Sequence, residues 1–187
     1  MILPVHVIGS SVLRKVAQDV PSDYPGLKEL IENMLDTMHS SDGVGLAAPQ
    51  VGKSVRIFII DGTPMAEDEP QLDGFKRTFI NAHITERKGE PLVSTEGCLS
   101  IPDIREEVLR YPEVTVEYVN ENFKSQKETF KGMAAVIVQH EYDHLDGILF
   151  TDKVSPLRKK FLKKKLENIA RGVFKKRYRV VLGEKFR

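Results

Sequence analysis

The chain has 187 residues, 41% of them hydrophobic and 29% charged, with a formal net charge of +1; this composition predicts one globular domain and excludes an intrinsically disordered chain. No apolar run approaches the roughly 18 residues that a membrane-spanning helix needs, and the first residues lack a secretory-signal pattern, so we expect a cytoplasmic protein that binds no membrane. The single cysteine, Cys98, excludes an internal disulfide and leaves a thiol for other chemistry.

The charge is unevenly distributed along the chain. Residues 152–187 carry 14 Lys+Arg against 3 Asp+Glu, whereas the preceding residues are acidic in balance. The two parts are therefore expected to face different partners. We predict a single catalytic domain over residues 1–171, which includes a C-terminal helix, and a basic C-terminal tail over residues 172–187.

The first predicted helix lies within residues 24–43, "YPGLKELIENMLDTMHSSDG", where apolar residues recur at helical spacing. A proline near its start and a glycine after its end support these limits. The stretch that follows, "GVGLAAPQVG" at residues 43–52, is rich in glycine and alanine. It is either a tight turn or a loop whose backbone a substrate can approach, with Gln50 as a hydrogen-bond donor.

The middle of the chain reads as a series of strands. These segments are short, rich in β-formers and punctuated by glycine, proline and asparagine. They lie at residues 55–61, 75–87, 105–111, 113–119 and 125–131.

Two further helices are predicted after these strands. "GMAAVIVQHEYDHLDG", residues 132–147, is apolar all round in its first turns, which indicates burial. "SPLRKKFLKKKLENIARG", residues 155–172, begins with Ser155 as an N-cap and ends at Gly172. The predicted fold class is α+β, with antiparallel strands packed around a central metal-bearing helix and a further C-terminal helix.

The central helix carries the pattern His-Glu-x-x-His. His140 and His144 lie four residues apart and so share one face of the helix, with Glu141 directly after the first histidine. Two imidazoles at this spacing can bind one metal ion, and the carboxylate can serve as a general base. The alternative is a pair of ordinary surface or core histidines.

A third metal ligand is needed to complete such a site. Cys98 lies in "STEGCLSIP", where a glycine lets the backbone turn, and a thiolate is a strong ligand for a borderline or soft divalent metal. His6, His39 and His83 lack any partner at ligand spacing. A lone cysteine is also often a small buried apolar residue, but the unfinished histidine pair favours Cys98 as the ligand.

Three protein ligands leave an open position, which is typical of a catalytic rather than a structural site. Two alternatives remain at this point. A zinc endopeptidase shares the metal, the base and amide hydrolysis, but Phe150 stands where the extended protease motif has its third histidine. A closed structural metal centre in a nucleic-acid-binding module would need Asp143 or Asp146 as a fourth ligand.

Three segments taken together resemble the signature motifs of peptide deformylases. "GVGLAAPQ", "EGCLS" and "QHEYDH" occur in this order, and the similarity covers about residues 1–155. The resemblance implies a hydrolase that removes the formyl group from the N-terminal formylmethionine of newly synthesised proteins. It implies one divalent metal ion, ferrous iron, which Zn²⁺, Ni²⁺ or Co²⁺ can replace.

The resemblance also implies a role for individual residues. Metal ligands would be Cys98, His140 and His144, and catalytic groups would be Glu141, Gln50 and the backbone N–H of Leu99. Substrate-binding residues, partly from the resemblance and partly from their place beside His140 or in the glycine-rich loop, would be Val44, Gly45, Gly97, Arg105, Val136 and Ile137. Arg110 would be a partner of Glu96.

The expected partners follow from this function. N-formylmethionyl nascent peptides are the substrate, and an apolar wall of Val136 and Ile137 would suit the methionine side chain. The basic C-terminal region, with Leu157, Phe161, Leu162, Leu166 and Ile169 predicted as an apolar stripe, is either a solvated helix packed on the core or a surface that docks on ribosomal RNA. No DNA partner is expected.

Overall fold

The computed structural model describes residues 1–184, with three α-helices and nine β-strands in an α+β arrangement. The helices are α1 (Leu27–Ser40), α2 (Gly132–Leu145) and α3 (Pro156–Ala170). The strands are β1 (Val5–His6), β2 (Gly45–Ala47), β3 (Ile57–Asp61), β4 (Lys76–Lys88), β5 (Leu92–Cys98), β6 (Ile101–Arg110), β7 (Glu113–Val119), β8 (Ser125–Lys131) and β9 (Val180–Val181). The predicted fold class is confirmed. No helix in residues 1–184 is long and apolar enough to cross a membrane.

The main sheet is antiparallel and has the strand order β2-β3-β4-β7-β8. Strand β3 is buried on both faces, so its side chains alternate between two cores. Phe58 and Ile60 pack in the cluster that contains apolar residues of α2. Ile57 and Ile59 pack in the cluster that contains Met34 of α1. The sheet therefore lies between α1 and α2.

Strands β5 and β6 form a separate antiparallel hairpin. Its register is regular up to Gly97, which pairs with Arg105, and then shifts so that Cys98 pairs with Ile101. A bulge of this kind bends a strand and re-aims the side chain at its end. The side chain it re-aims here is that of the one cysteine in the chain.

Helix α3 closes a third hydrophobic cluster over the β5–β6 hairpin. The Ser155 hydroxyl accepts a hydrogen bond from the Arg158 N–H at 3.3 Å, so the predicted N-cap is confirmed. Leu162 and Ile169 are buried in the cluster. Leu157 and Phe161, predicted to belong to the same apolar stripe, are instead 63% and 69% exposed.

The two ends of the described chain meet in a parallel pair of short strands. β1 pairs with β9, and the Val5 and Val7 N–H groups donate to the carbonyls of Arg179 and Val181 at 2.9 and 3.0 Å. The part of the basic tail up to Glu184 thus folds back on the N-terminal strand, whereas residues 185–187 of that predicted tail lie outside the described residues.

Candidate metal centre

Cys98, His140 and His144 converge between the end of β5 and the C-terminal half of α2. One ligand atom from each lies within 4.8 Å of the others, and Cys98 Sγ lies 3.3 Å from His144 Nε2. Helical spacing brings the two histidines to one face, and the bulge after Gly97 brings the cysteine towards them. The structure therefore brings together the three residues that the sequence predicts as ligands.

Glu96 orients His140 from the side opposite Cys98. Its Oε2 lies 2.7 Å from His140 Nδ1, which leaves Nε2 as the ring atom available to a ligand. Burial opposes a charge on His140, but hydrogen bonds to Cys98 and Glu96 outweigh it and raise the pKa of His140 well above its usual value. Burial and the nearby charge of His140 lower the pKa of His144 well below its usual value.

Arg110 connects the Glu96 carboxylate to helix α2. Its Nε and Nη2 donate to the two oxygens of Glu96 at 2.6 and 2.9 Å, and its Nη1 donates to Asp143 at 2.6 Å. Burial favours the neutral acid at Glu96, yet the hydrogen bonds from Arg110 and His140 lower its pKa to about 2. The pairing of Arg110 with Glu96 that the family resemblance implies is thus present. Asp143, considered in the sequence only as a fourth metal ligand, is instead a second partner of Arg110.

Glu141 lies beside the cluster and is almost completely buried. Burial raises the pKa of Glu141 to about 7, and its Oε2 has no hydrogen-bond partner among residues 1–184. Gly45 of β2 lies against it, since a Cβ at Gly45 would come within 2.8 Å of Glu141 Cδ. Position 45 therefore has to be glycine for the Glu141 carboxylate to keep this place.

Gln50 is the second polar group beside the cysteine. The Ala47 N–H donates to Gln50 Oε1 at 2.8 Å, which fixes the orientation of the amide. Gln50 Nε2 then points to Cys98 Sγ at 3.4 Å and to Ser100 Oγ at 3.2 Å. The amide hydrogens are thus directed to the centre rather than to solvent.

The donor set fits a divalent transition metal. One sulfur and two imidazole nitrogens suit borderline or soft ions, and the unpartnered Oε2 of Glu141 is adjacent to them. Within residues 1–184 no fourth histidine, cysteine or carboxylate joins the group. Asp143 pairs with Arg110, and Asp146 accepts from Arg56 at 2.8 Å. A closed structural centre is therefore not formed.

Comparison with known proteins decides the family. The sequence model of the family described as "Polypeptide deformylase" matches residues 2–160. A peptide deformylase of Flavobacterium johnsoniae is 53% identical, with 96% of this chain and 95% of that protein covered. The chain belongs to this deformylase family. It is a hydrolase that removes the N-terminal formyl group, so the endopeptidase and nucleic-acid-binding alternatives are set aside.

Solved deformylases have the same fold. A peptide deformylase from Legionella pneumophila superimposes with a TM-score of 0.80 at 35% identity, covering 91% of this chain and 96% of that one. A "Met-ala-ser bound" class I type b deformylase from Acinetobacter baumannii gives 0.75 at 35% identity, covering 82% and 99%. The fold and the family assignment therefore agree.

The candidate metal centre opens into a cleft of about 840 Å³. Most of the residues predicted for catalysis or binding line it, and His144 lies behind its wall. They are Val44, Gly45, Gln50, Gly97, Cys98, Leu99, Arg105, Val136, Ile137, His140 and Glu141. Sequence reasoning missed Met133 and three residues of the tail, Lys175, Arg177 and Tyr178, which also line the cleft.

Proposed function

We propose that deformylation takes place in this cleft, with one divalent ion held by Cys98, His140 and His144. The observation that carries the proposal is the convergence of these three ligand atoms beside the buried carboxylate of Glu141. An ion held by these three ligands would keep an open position, where it would polarise a carbonyl oxygen and lower the pKa of bound water towards about 7.

Glu141 is the proposed general base and acid. A buried carboxyl with a pKa near 7 can accept a proton from the attacking water and return it to the leaving amine, which yields formate and a free α-amino group. The Gln50 amide and the Leu99 N–H are the proposed donors to the formyl oxygen, where negative charge develops. Gln50 is already fixed for this role by its bond to Ala47.

The methionine side chain is proposed to lie against Val44, Val136 and Ile137. Apolar residues of this kind suit an unbranched thioether. Gly45 and Gly97 leave room for the substrate backbone, and the exposed Arg105 lies further out along the same cleft. The similar deformylase of Acinetobacter baumannii was crystallised with Met-Ala-Ser bound, which supports a peptide that begins with methionine as the ligand.

The test compares two blocked peptides on anaerobically purified enzyme. We expect hydrolysis of formyl-Met-Ala-Ser and none of acetyl-Met-Ala-Ser, with about one metal ion per chain by elemental analysis. C98A, H140A and H144A should each lose both the metal and the activity. A variant of this set with full metal content and full activity would overturn the ligand assignment.

Ferrous iron is the metal we propose for the enzyme in the cell, with zinc, nickel or cobalt able to replace it. A thiolate and a ferrous ion are both open to oxidation, so the iron form should lose activity in air and peroxide. The nickel form should keep it. Iron-loaded enzyme that stays fully active for hours in peroxide would contradict this assignment.

We also propose that α3 docks on the ribosome. It carries Lys159, Lys160, Lys163 and Lys164 on an exposed surface, next to the exposed side chains of Leu157 and Phe161. Such a basic surface gains affinity for ribosomal RNA by releasing counterions. Nascent formylated chains first appear at the ribosome, so docking would bring the enzyme to its substrate and place it in the cytoplasm.

Charge variants test docking better than truncation, because the tail also lines the cleft. Lys159, Lys160, Lys163 and Lys164 are changed together to Gln, and the matched control changes four exposed lysines elsewhere, Lys15, Lys28, Lys53 and Lys124, in the same way. We expect only the first variant to lose co-sedimentation with ribosomes and much of its salt dependence, with formyl-peptide hydrolysis unchanged in both. Equal binding by both variants would contradict docking.

The division into a catalytic domain, residues 1–171, and a basic tail, residues 172–187, stays a prediction. Limited proteolysis tests it, since a separate tail should be cleaved near Gly172 before the rest of the chain.

A further inference from the structure

The segment after α3 forms part of the wall of the cleft. Lys175, Arg177 and Tyr178 line it together with Cys98 and Leu99. These three residues lie beyond residue 160, where the match to the family ends. The wall they form is thus a feature of this chain that the family's motifs do not describe.

This segment is fixed in place at both of its ends. Phe174 and Leu182 pack on the cluster beneath α3, and β9 pairs with β1. Gly183 lies directly on the backbone of Gly9, where a Cβ would come within 2.5 Å of the Gly9 carbonyl carbon. Tyr178 lies between these anchors and is therefore held at a defined position.

The Tyr178 hydroxyl donates a hydrogen bond to the Leu99 carbonyl at 2.7 Å. Burial, together with negative charge at Cys98 and Asp103, raises the pKa of Tyr178 to about 12. The phenol therefore stays protonated throughout the working range of an enzyme. It is a permanent donor to this carbonyl.

The next carbonyl along the chain is held in the same way. The Ile8 N–H donates to the Ser100 carbonyl at 2.9 Å. The residues directly after the cysteine are thus held by hydrogen bonds from the segment that follows β1 and from the tail. Leu99 also carries the backbone N–H that is proposed to donate to the formyl oxygen.

We infer that Tyr178 is a positioning residue for deformylation: by holding the Leu99 carbonyl, it restricts the backbone rotation at Leu99 that would turn the preceding peptide unit, with the Leu99 N–H, away from the formyl oxygen. The inference rests on the proposed role of that N–H. A donor acts on the transition state only if it is already aimed at the developing charge, and a displacement of about 1 Å can cost up to about 10²-fold in rate. The loss of one supporting hydrogen bond should therefore lower the rate by less than this factor.

The test compares Y178F with Y118F. Tyr118 also donates its hydroxyl to one partner, Glu128, but in the main sheet and away from the cleft. With formyl-Met-Ala-Ser, we expect Y178F to lower kcat by about 3- to 30-fold and to leave KM within about twofold. Y118F should keep the wild-type kcat.

Product binding separates positioning from a purely structural role. Met-Ala-Ser has no formyl oxygen, so its inhibition constant should be unchanged in Y178F, and the metal content should stay at the wild-type level. V116A removes buried packing from β7 of the main sheet, away from the cleft and from the Tyr178 segment, so it should lower the thermal midpoint but not kcat.

Three results would overturn the inference. They are a wild-type kcat in Y178F, a loss of kcat in V116A equal to that in Y178F, and a Y178F variant that loses metal or Met-Ala-Ser affinity along with its kcat. None of them bears on the metal ligands, because the C98A, H140A and H144A variants test that proposal separately.

Discussion

Two buried glutamates lie on either side of His140 and differ in their protonation. Glu96 meets the guanidinium of Arg110 and the ring of His140, so its pKa is lowered to about 2. Among residues 1–184, no cation is in hydrogen-bond contact with Glu141, and burial raises its pKa to about 7. Environments that separate two carboxyl groups in this way commonly assign them different tasks. One is suited to a permanent charge and the other to proton transfer.

Replacing Glu141 should separate metal binding from chemistry. E141Q keeps the size of the side chain but removes the proton acceptor, so we expect hydrolysis of formyl-Met-Ala-Ser to fall by about 10²–10⁴-fold. The ligand atoms are untouched, so elemental analysis should find the wild-type metal content. A fully metallated variant with a near wild-type rate would refute the proposed role.

Asp61, at the end of β3, should make stability depend on acid pH. Burial favours its neutral form, but hydrogen bonds from Thr63, Lys76 and His39 lower its pKa from 3.8 to about 2. Because the folded state holds the proton less tightly than the unfolded state, the carboxylate stabilises the fold above pH 4, by about 2 kcal/mol. That contribution should disappear as the pH falls from about 4 to about 2.

The measurement is urea unfolding of wild type and D61N in excess chelator, so that metal loss does not contribute. The difference in unfolding free energy between wild type and D61N should be largest near pH 6 and should shrink as the pH falls from about 4 to about 2. A difference that stays constant from pH 6 to pH 2.5 would contradict the lowered pKa.

At the scale of secondary-structure elements, the side chain of Arg110 connects strands β5 and β6 to helix α2. Arg110 ends β6, pairs with Glu96 of β5 and reaches Asp143 of α2. The helix with the two histidines is thus tied to the strand with the cysteine. The relative position of these two elements sets the distances between the candidate ligands.

Removing this arginine should therefore be costly. R110M removes the guanidinium from two buried carboxylates, of which Asp143 keeps only Lys153, at 3.2 Å, and we expect it to lower the free energy of unfolding by about 3–5 kcal/mol. R158M is the matched control, because Arg158 pairs with Glu106 of the same strand but is itself 53% exposed. Its loss should cost about 1 kcal/mol or less. Equal effects of the two variants in urea unfolding would contradict this account.

Local pattern predicted some elements well and missed others for physical reasons. Residues 113–119 and 125–131 were predicted with the bounds that the structure gives, because turn residues mark both ends of each strand. Leu92–Cys98 was missed, since Leu92 and Val93 are both exposed although they point to opposite faces, so the strand shows no regular alternation of polar and apolar residues. Gly45–Ala47 was taken for a loop because its strand is only three residues long.

The features of the site, too, could be predicted only where local rules identify them. The spacing of His140 and His144 and the choice of Cys98 could be inferred from the chain alone, because helical periodicity and metal preference are local rules. The contact of Tyr178 with Leu99 joins residues 79 positions apart. No local pattern predicts such a contact, because it depends on how the whole tail folds back.

At the scale of the whole molecule, truncation after Gly172 should impair stability and catalysis in addition to any docking on the ribosome. It removes β9 and the packing of Phe174 and Leu182, and partial burial of such side chains contributes about 1 kcal/mol or more each. We expect a lower thermal midpoint and slower hydrolysis of formyl-Met-Ala-Ser. A truncated enzyme with wild-type stability and kcat would show that the tail is independent of the cleft.

The pairing of β1 with β9 also sets an order of events during synthesis. Val5 and Val180 are made roughly 10–35 seconds apart at about 5–20 residues per second, so β1 waits without its partner while the rest of the chain emerges. We expect stalled nascent chains that end before residue 180 to hydrolyse formyl-Met-Ala-Ser more slowly than the full-length chain. A deformylase that acts on nascent chains would then reach its full activity only after its own synthesis has passed β9.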